Sequence, residues 1–205
     1  MSSPLFDLVV SIVIYKPHMA HLQETIDSLS KTPLKIKLVI HDNSPERTAI
    51  ETLRSFHKID YFWKAKNLGF GRGHNWNIKK CIDDSKYFLI LNPDIFFNET
   101  LIVDMCQRMD KDSALGLSIP KICHPSGGLQ MVNRRVPRPQ DYLFNFINSH
   151  MGRRVLTSPE YNRYLLNDIN LSQPFECPQF PDALCYFAVL FLKNWVDLIN
   201  VFSSI

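Results

Sequence analysis

Residues 9–15, Val-Val-Ser-Ile-Val-Ile-Tyr, form an apolar, β-branched-rich run without the alternation of a strand that has one wet face. Such a run suits a strand buried on both faces, and Pro17 breaks it. From Ala20 to Leu29 the apolar positions Leu22, Ile26 and Leu29 fall at helical spacing, and Lys31, Thr32 and Pro33 end the pattern. A second apolar run, Lys35 to Ile40, follows and stops at His41-Asp42-Asn43-Ser44-Pro45. Strand, helix and strand in this order make a βαβ unit, whose ligands lie beyond the strand C-termini. Tyr15 and Asp42 thereby become neighbours at one sheet edge.

The alternation continues. Thr48 to Phe56 reads as a second helix, Ile59 to Trp63 as a third strand, and Asn67 to Gly73 as a glycine-rich loop. That loop enters a helix carrying Trp76, Ile78 and Cys81. Tyr87 to Leu91 is a fourth strand, ended by Asn92-Pro93-Asp94, and Leu101 to Met109 is helical. Beyond it, prolines at 120, 125, 137 and 139 and glycines at 127 and 128 read as an insertion or acceptor-side loop. Ala183 to Leu192 reads as a buried strand running into a short helix, since it falls short of the roughly 20 residues that span a bilayer. The fold class is α/β, with 205 residues sufficient for one compact domain.

Charge narrows the partners. The formal net charge of +3 is spread along the chain, without the dense basic stripe of a nucleic-acid surface. The five cysteines are odd in number and include no CxxC pair, so they read as reduced thiols in a cytosolic protein. No basic region or small-residue cleavage site marks a secretory signal near the N-terminus.

Three segments carry chemistry. Asp42 and Asn43, directly after a buried strand, offer a carboxylate and an amide to a base or ribose; a turn or helix N-cap is the plainer alternative. Asn67 to Asn75 combines Gly69, Gly71 and Gly73 with Arg72 and the N–H groups of a helix start, an arrangement able to approach a diphosphate; a plain loop is the alternative. Asn92 and Asp94 sit where period-two geometry would put both on one side of a strand end. There Asp94 would hold a cation such as Mg²⁺ together with substrate phosphate oxygens; an Asn-Pro turn is the alternative. Arg134, Arg135 and Arg138 would grip a phosphate or simply form a solvated basic loop. The seven histidines lack the spacing of a zinc site, and Trp63 and Trp76 read as core or pocket-wall aromatics.

Taken together, Ser11-Ile12-Val13-Ile14-Tyr15, Asp42-Asn43-Ser44, Asn67-Leu68-Gly69-Phe70-Gly71 with His74-Asn75, and Leu91-Asn92-Pro93-Asp94 resemble family 2 glycosyltransferases of the GT-A fold, particularly rhamnosyltransferase-like members. The resemblance is close from Val9 to Asn98 and looser to about Asn200. It implies a Rossmann-like, mostly parallel sheet flanked by helices. It also implies a donor-nucleotide site of Tyr15, Asp42, Asn43, Asn67, Gly69, Gly71, His74 and Asn75, and a Mg²⁺ or Mn²⁺ site at Asp94 and Asn92. Asn92 stands where the family's metal motif has its first carboxylate, which weakens cation binding, and Lys16-Pro17 stand where the family has an Asn. The implied reaction moves a sugar, often rhamnose from a dTDP donor, with inversion onto a polysaccharide or lipid-linked acceptor. That role suggests the cytoplasmic side, with peripheral docking at the inner face of the plasma membrane.

The family's general base lies in a Glu-Asp pair beyond a Gly-Phe-Asp-Glu type segment, and neither occurs before Ile205. The expectation is a domain lacking its usual C-terminal part, with little or no turnover. Two alternatives stay open: an inactive nucleotide-binding remnant, and a nucleotidyltransferase. The absence of glycine from Ser11 to Pro17 argues against the latter.

Overall fold

The computed structural model describes residues 5–48, 56, 58–81, 84–124, 126–128, 138–151, 158–164, 166, 170 and 189–192. Two compact units divide the chain: Met1–Pro120 with Ala188–Ile205, and Lys121–Phe187. The first unit holds a six-stranded sheet. Its strands are β1 (Phe6–Ile14), β2 (Ile36–Asp42), β3 (Lys58–Trp63), β4 (Ser85–Leu91), β5 (Leu117–Ser118) and β6 (Val189–Leu192), and its helices are α1 (Met19–Ser30), α2 (Phe70–Cys81) and α3 (Leu101–Lys111).

The order across the sheet is β3-β2-β1-β4-β6-β5. Strands β1 to β4 pair in parallel, and β6 runs antiparallel between β4 and β5. The adjacent strands β1 and β2 are the unalternating runs of the sequence: every residue of β2 is buried, and in β1 only Asp7 is exposed. Helix α1 lays Leu22, Ile26 and Leu29 on this sheet, one per turn, while Thr25 and Ser28 return their hydroxyls to the carbonyls of His21 and Glu24. Helix α3 contributes Ile102, Met105, Cys106 and Met109 to the same core. At the N-terminal end of the strands, Lys37 Nζ lies 2.8 Å from Asp60 and 2.7 Å from Asp84, tying β2 to β3 and to the turn before β4. Burial opposes its charge, but those two carboxylates outweigh that and hold its pKa above the usual lysine range.

Two expectations need correction. The glycine-rich segment is not a loop as far as Gly73: α2 begins at Phe70, so Gly71 and Gly73 lie in its first turn. The last proline of the expected loop opens a helix, α4 (Pro139–His150), and α5 (Pro159–Tyr164) follows beyond that stretch, both in the second unit. Pro139 takes the first helical position, where a missing N–H costs nothing, and Asp141 Oδ2 accepts the backbone N–H of Arg138 at 2.7 Å to close the cap. Phe144 of α4 packs edge-on against Tyr161 of α5, whose hydroxyl donates to Asn145 Oδ1 at 2.7 Å. The expected helix from Thr48 to Phe56, the strand residues 183–188 and the short helix after Leu192 lie largely outside the described residues.

Candidate functional site

Strand order changes direction at β1: the chain steps outward through β2 and β3, then returns to place β4 on the other side. Open parallel sheets bind ligands at such a switch point, beyond the strand C-termini. Ile14 pairs with Asp42, Asp42 with Trp63, and Ile12 with Leu91. Tyr15, the 42–44 segment and Asn92 therefore all leave the sheet at one edge.

Asp42 is fully buried, with 0% exposure, and its carboxylate is enclosed by donors from its own chain. Oδ1 accepts the Ser44 N–H at 2.8 Å, and Oδ2 accepts the Thr48 N–H at 2.9 Å and the Tyr61 hydroxyl. Burial works to raise the Asp42 pKa, but these hydrogen bonds outweigh it and hold the carboxyl below its ordinary range. Tyr61 is shifted upward, first by burial and then by the neighbouring Asp42, so it remains a neutral donor. Trp63 Nε1 donates to the Ser44 carbonyl at 3.0 Å, and Arg47 lies 5.2 Å over the Tyr61 ring. The carboxylate thus shapes the turn after β2, an arrangement that joins the turn reading of Asp42 to its place at the sheet edge.

Asn43 joins two motifs that are far apart in sequence. Its Oδ1 accepts the Leu68 N–H at 3.1 Å and its Nδ2 donates to the Gly69 carbonyl at 3.2 Å, while its own N–H bonds Ile14 O at 2.8 Å. Ser44 Oγ accepts the Lys16 N–H at 2.8 Å, holding the chain where it leaves β1. Lys16 has φ 45°, the left-handed region in which an Asn or Gly is easier than a lysine. Gly69 has φ +83°, and its N–H bonds Asn67 Oδ1 at 2.8 Å. The Gly69 carbonyl accepts the Gly73 N–H at 3.1 Å, so α2 starts with its first N–H groups free of helical partners and without an acidic side chain in its first turn. That end favours an anion. A Cβ added at Gly71 would meet nothing within 4 Å.

Gly73 and His74 face inward. A Cβ at Gly73 would stand 2.8 Å from Val13 Cγ2, so the glycine allows α2 to close on β1. His74 is 2% exposed, its Nδ1 is 2.7 Å from Ser11 Oγ, and that oxygen also accepts Asn77 Nδ2 at 2.8 Å. Burial, with a smaller push from His41, lowers the His74 pKa to about 3, so the ring is neutral. His41 is shifted down by burial and by Lys64. The structure thus places His74 behind β1, where it orients α2.

Of the other expected site residues, Tyr15, Asn67, Gly69 and Asp94 are exposed, Gly71 and Asn75 are half-buried, and Asn92 is buried. Pro93 and Asp94 form a turn after β4, so the period-two argument for Asn92 and Asp94 does not apply. Among the described residues no three His, Cys, Asp or Glu side chains converge to hold a metal. A carboxylate and an amide oxygen are hard donors, too few for a resident cation but suited to one that arrives with a diphosphate. Arg138 is exposed beside α4, and Arg134 and Arg135 lie outside the described residues. Ser11, Tyr61, Trp63 and Asn77 were not singled out as site residues from the sequence. Their signal was available in part: Tyr61 and Trp63 alternate on β3, and Ser11 is a lone polar residue in a buried strand. Trp63 is exposed rather than core, while Trp76 packs against Phe62 and His41 at ring distances of 4.1 and 5.4 Å.

The sequence model of glycosyl transferase family 2 matches residues 10–168. Among solved structures the chain is similar to S. aureus TarS, with 19% identity over 64% of this chain and 23% of that one and a TM-score of 0.46. It is also similar to S. aureus TarS 1-349 in complex with UDP-GlcNAc, with 17% identity over 64% of this chain and 37% of that one and a TM-score of 0.47. A third likeness is to the mannosyltransferase PcManGT from Pyrobaculum calidifontis in complex with GDP-Man and Mn²⁺, with 13% identity over 67% of this chain and 37% of that one and a TM-score of 0.46. The chain spans between 23% and 37% of the length of these three. No curated protein sequence matches it.

Proposed function

The chain belongs to glycosyl transferase family 2, and from that premise we propose that its sheet edge binds a nucleotide-diphosphate sugar for inverting transfer to a saccharide or lipid-linked acceptor. The observation that carries the reading is the double hydrogen bond from Asn43 to Leu68 and Gly69, which joins the end of β2 to the start of α2. This bond lets one ligand meet both: a base or ribose beside Tyr15 and the 42–44 turn, and a diphosphate before the N–H groups of α2. Rhamnose from a dTDP donor is the finer proposal, supported by the resemblance in which Asn92 replaces a carboxylate. Family membership decides against the nucleotidyltransferase alternative.

In this mechanism the acceptor hydroxyl attacks the anomeric carbon, the bond to the nucleotide diphosphate breaks, and the hydroxyl proton passes to a general base. Asp94 is the carboxylate available to a Mg²⁺ or Mn²⁺ ion, with Asn92 two residues before it in sequence; when bound, the cation would offset the charge of the departing diphosphate. The first turn of α2 presents N–H groups to the same charge. None of the described residues is assigned as the base. A cytoplasmic working place, at the inner face of the plasma membrane, belongs to the same proposal.

Calorimetric titration with dTDP and UDP, with and without Mg²⁺, tests the reading. Asn43→Ala should weaken binding by about tenfold or more while leaving a cooperative fold, because it releases the 67–69 segment from β2. A folded chain that binds neither nucleotide would sink the proposal.

A further inference from the structure

Helix α4 is amphipathic in the reverse sense. Asp141, Phe144, Asn145 and Asn148 share one side, where Asp141 is 1% exposed and Asn145 bonds Tyr161. The opposite side carries Tyr142, Leu143 and Phe146, exposed by 63%, 56% and 61%, and the exposed Met151 follows at the helix end. These positions recur at the three- and four-residue spacing of one helical stripe. A polar side turned inward and an apolar side turned outward are the opposite of what water alone would select.

The charges around the stripe indicate what covers it. Arg134, Arg135 and Arg138 precede the helix and Arg153 and Arg154 follow it, and the single acid between residues 134 and 154 is the buried Asp141. An exposed apolar helical face flanked in the sequence by arginines, with Tyr and Phe among its side chains, matches the boundary of an anionic bilayer: rings and Leu suit the upper acyl carbons, and a basic flanking sequence suits the charge of the lipid phosphates. No described helix is long and apolar enough to cross a membrane, so this would be seating on a surface rather than insertion across it.

We propose that α4 docks the protein on an anionic membrane surface through Tyr142, Leu143 and Phe146. This docking does not rest on the donor-site reading, and it adds an interaction surface that the sequence reading did not find.

The test is sedimentation of the full chain with vesicles. The expected result is binding to vesicles containing about one-third phosphatidylglycerol, little binding to pure phosphatidylcholine, and weakening at about 0.5 M salt. Leu143→Ser and Phe146→Ser should each reduce binding about tenfold. Because both side chains are exposed, unchanged urea midpoints and unchanged dTDP titration are expected of these variants. Absence of binding to phosphatidylglycerol vesicles, or unchanged binding in both variants, overturns the proposal. So does a dimer that either variant converts to a monomer, which would make a second copy the partner, or a large fall in urea midpoint, which would mean that the chain itself covers the face.

Discussion

At the residue scale, the role of Asp42 rests on the atoms that surround it. The place of Asp42 at the end of a buried strand was legible in the sequence, but the donors that hold its carboxylate were not, because Tyr61 and Thr48 reach it from 19 and 6 residues away. Tyr61→Phe removes one donor from a buried carboxylate and should cost about 1–3 kcal/mol near neutral pH. The sign of its pH dependence follows from the lowered Asp42 pKa. Asp42 contributes stability in full above its unfolded value, near the ordinary 3.8, and that contribution is lost as pH falls through the still lower folded value. Urea denaturation of both proteins should therefore show a gap at about pH 7 that narrows as the carboxylate protonates below about pH 4. A gap that does not change with pH would mean that Tyr61 acts by packing alone.

At the element scale, the first four strands and three of the helices were readable because apolar periodicity and burial agree: unalternating runs became strands covered on both faces, and i, i+4, i+7 patterns became helices laid on them. Glycine misled where its purpose was packing. Gly71 and Gly73 suggested a loop, yet α2 needs Gly73 inside its first turn to approach Val13. Proline misled in the other direction, since Pro139 starts α4 instead of preventing it. The direction of β6 was not legible, because an apolar run has the same composition whether it pairs in parallel or antiparallel. Gly73→Ala should destabilise the protein by about 1–3 kcal/mol, because the added methyl must displace Val13 or lift α2, and should weaken nucleotide binding with it. Gly71→Ala, with open space at its Cβ, should stay within about 0.5 kcal/mol of the parent. Thermal or urea unfolding of the pair checks this, and equal losses in the two variants would contradict the close approach of α2 to β1.

At the scale of the whole molecule, the motifs that established the family resemblance are the segments that the fold brings to one edge and ties together. Lys16 N–H to Ser44 and Asn43 to Leu68 and Gly69 connect the ends of β1 and β2 to the start of α2, while Asn92 arrives there by strand register. The two units differ in what the sequence disclosed: the first follows its apolar pattern, whereas α4 hides an outward-facing apolar stripe among prolines and arginines. The central claim is that the sheet edge is a nucleotide-diphosphate site. Hydrogen–deuterium exchange of the full chain with and without dTDP and Mg²⁺ tests it most directly. The account predicts slowed exchange in residues 15–17, 42–48, 67–74 and 92–95, with the strand N-termini unchanged. Nucleotide binding accompanied by protection elsewhere and none in these four segments would contradict it.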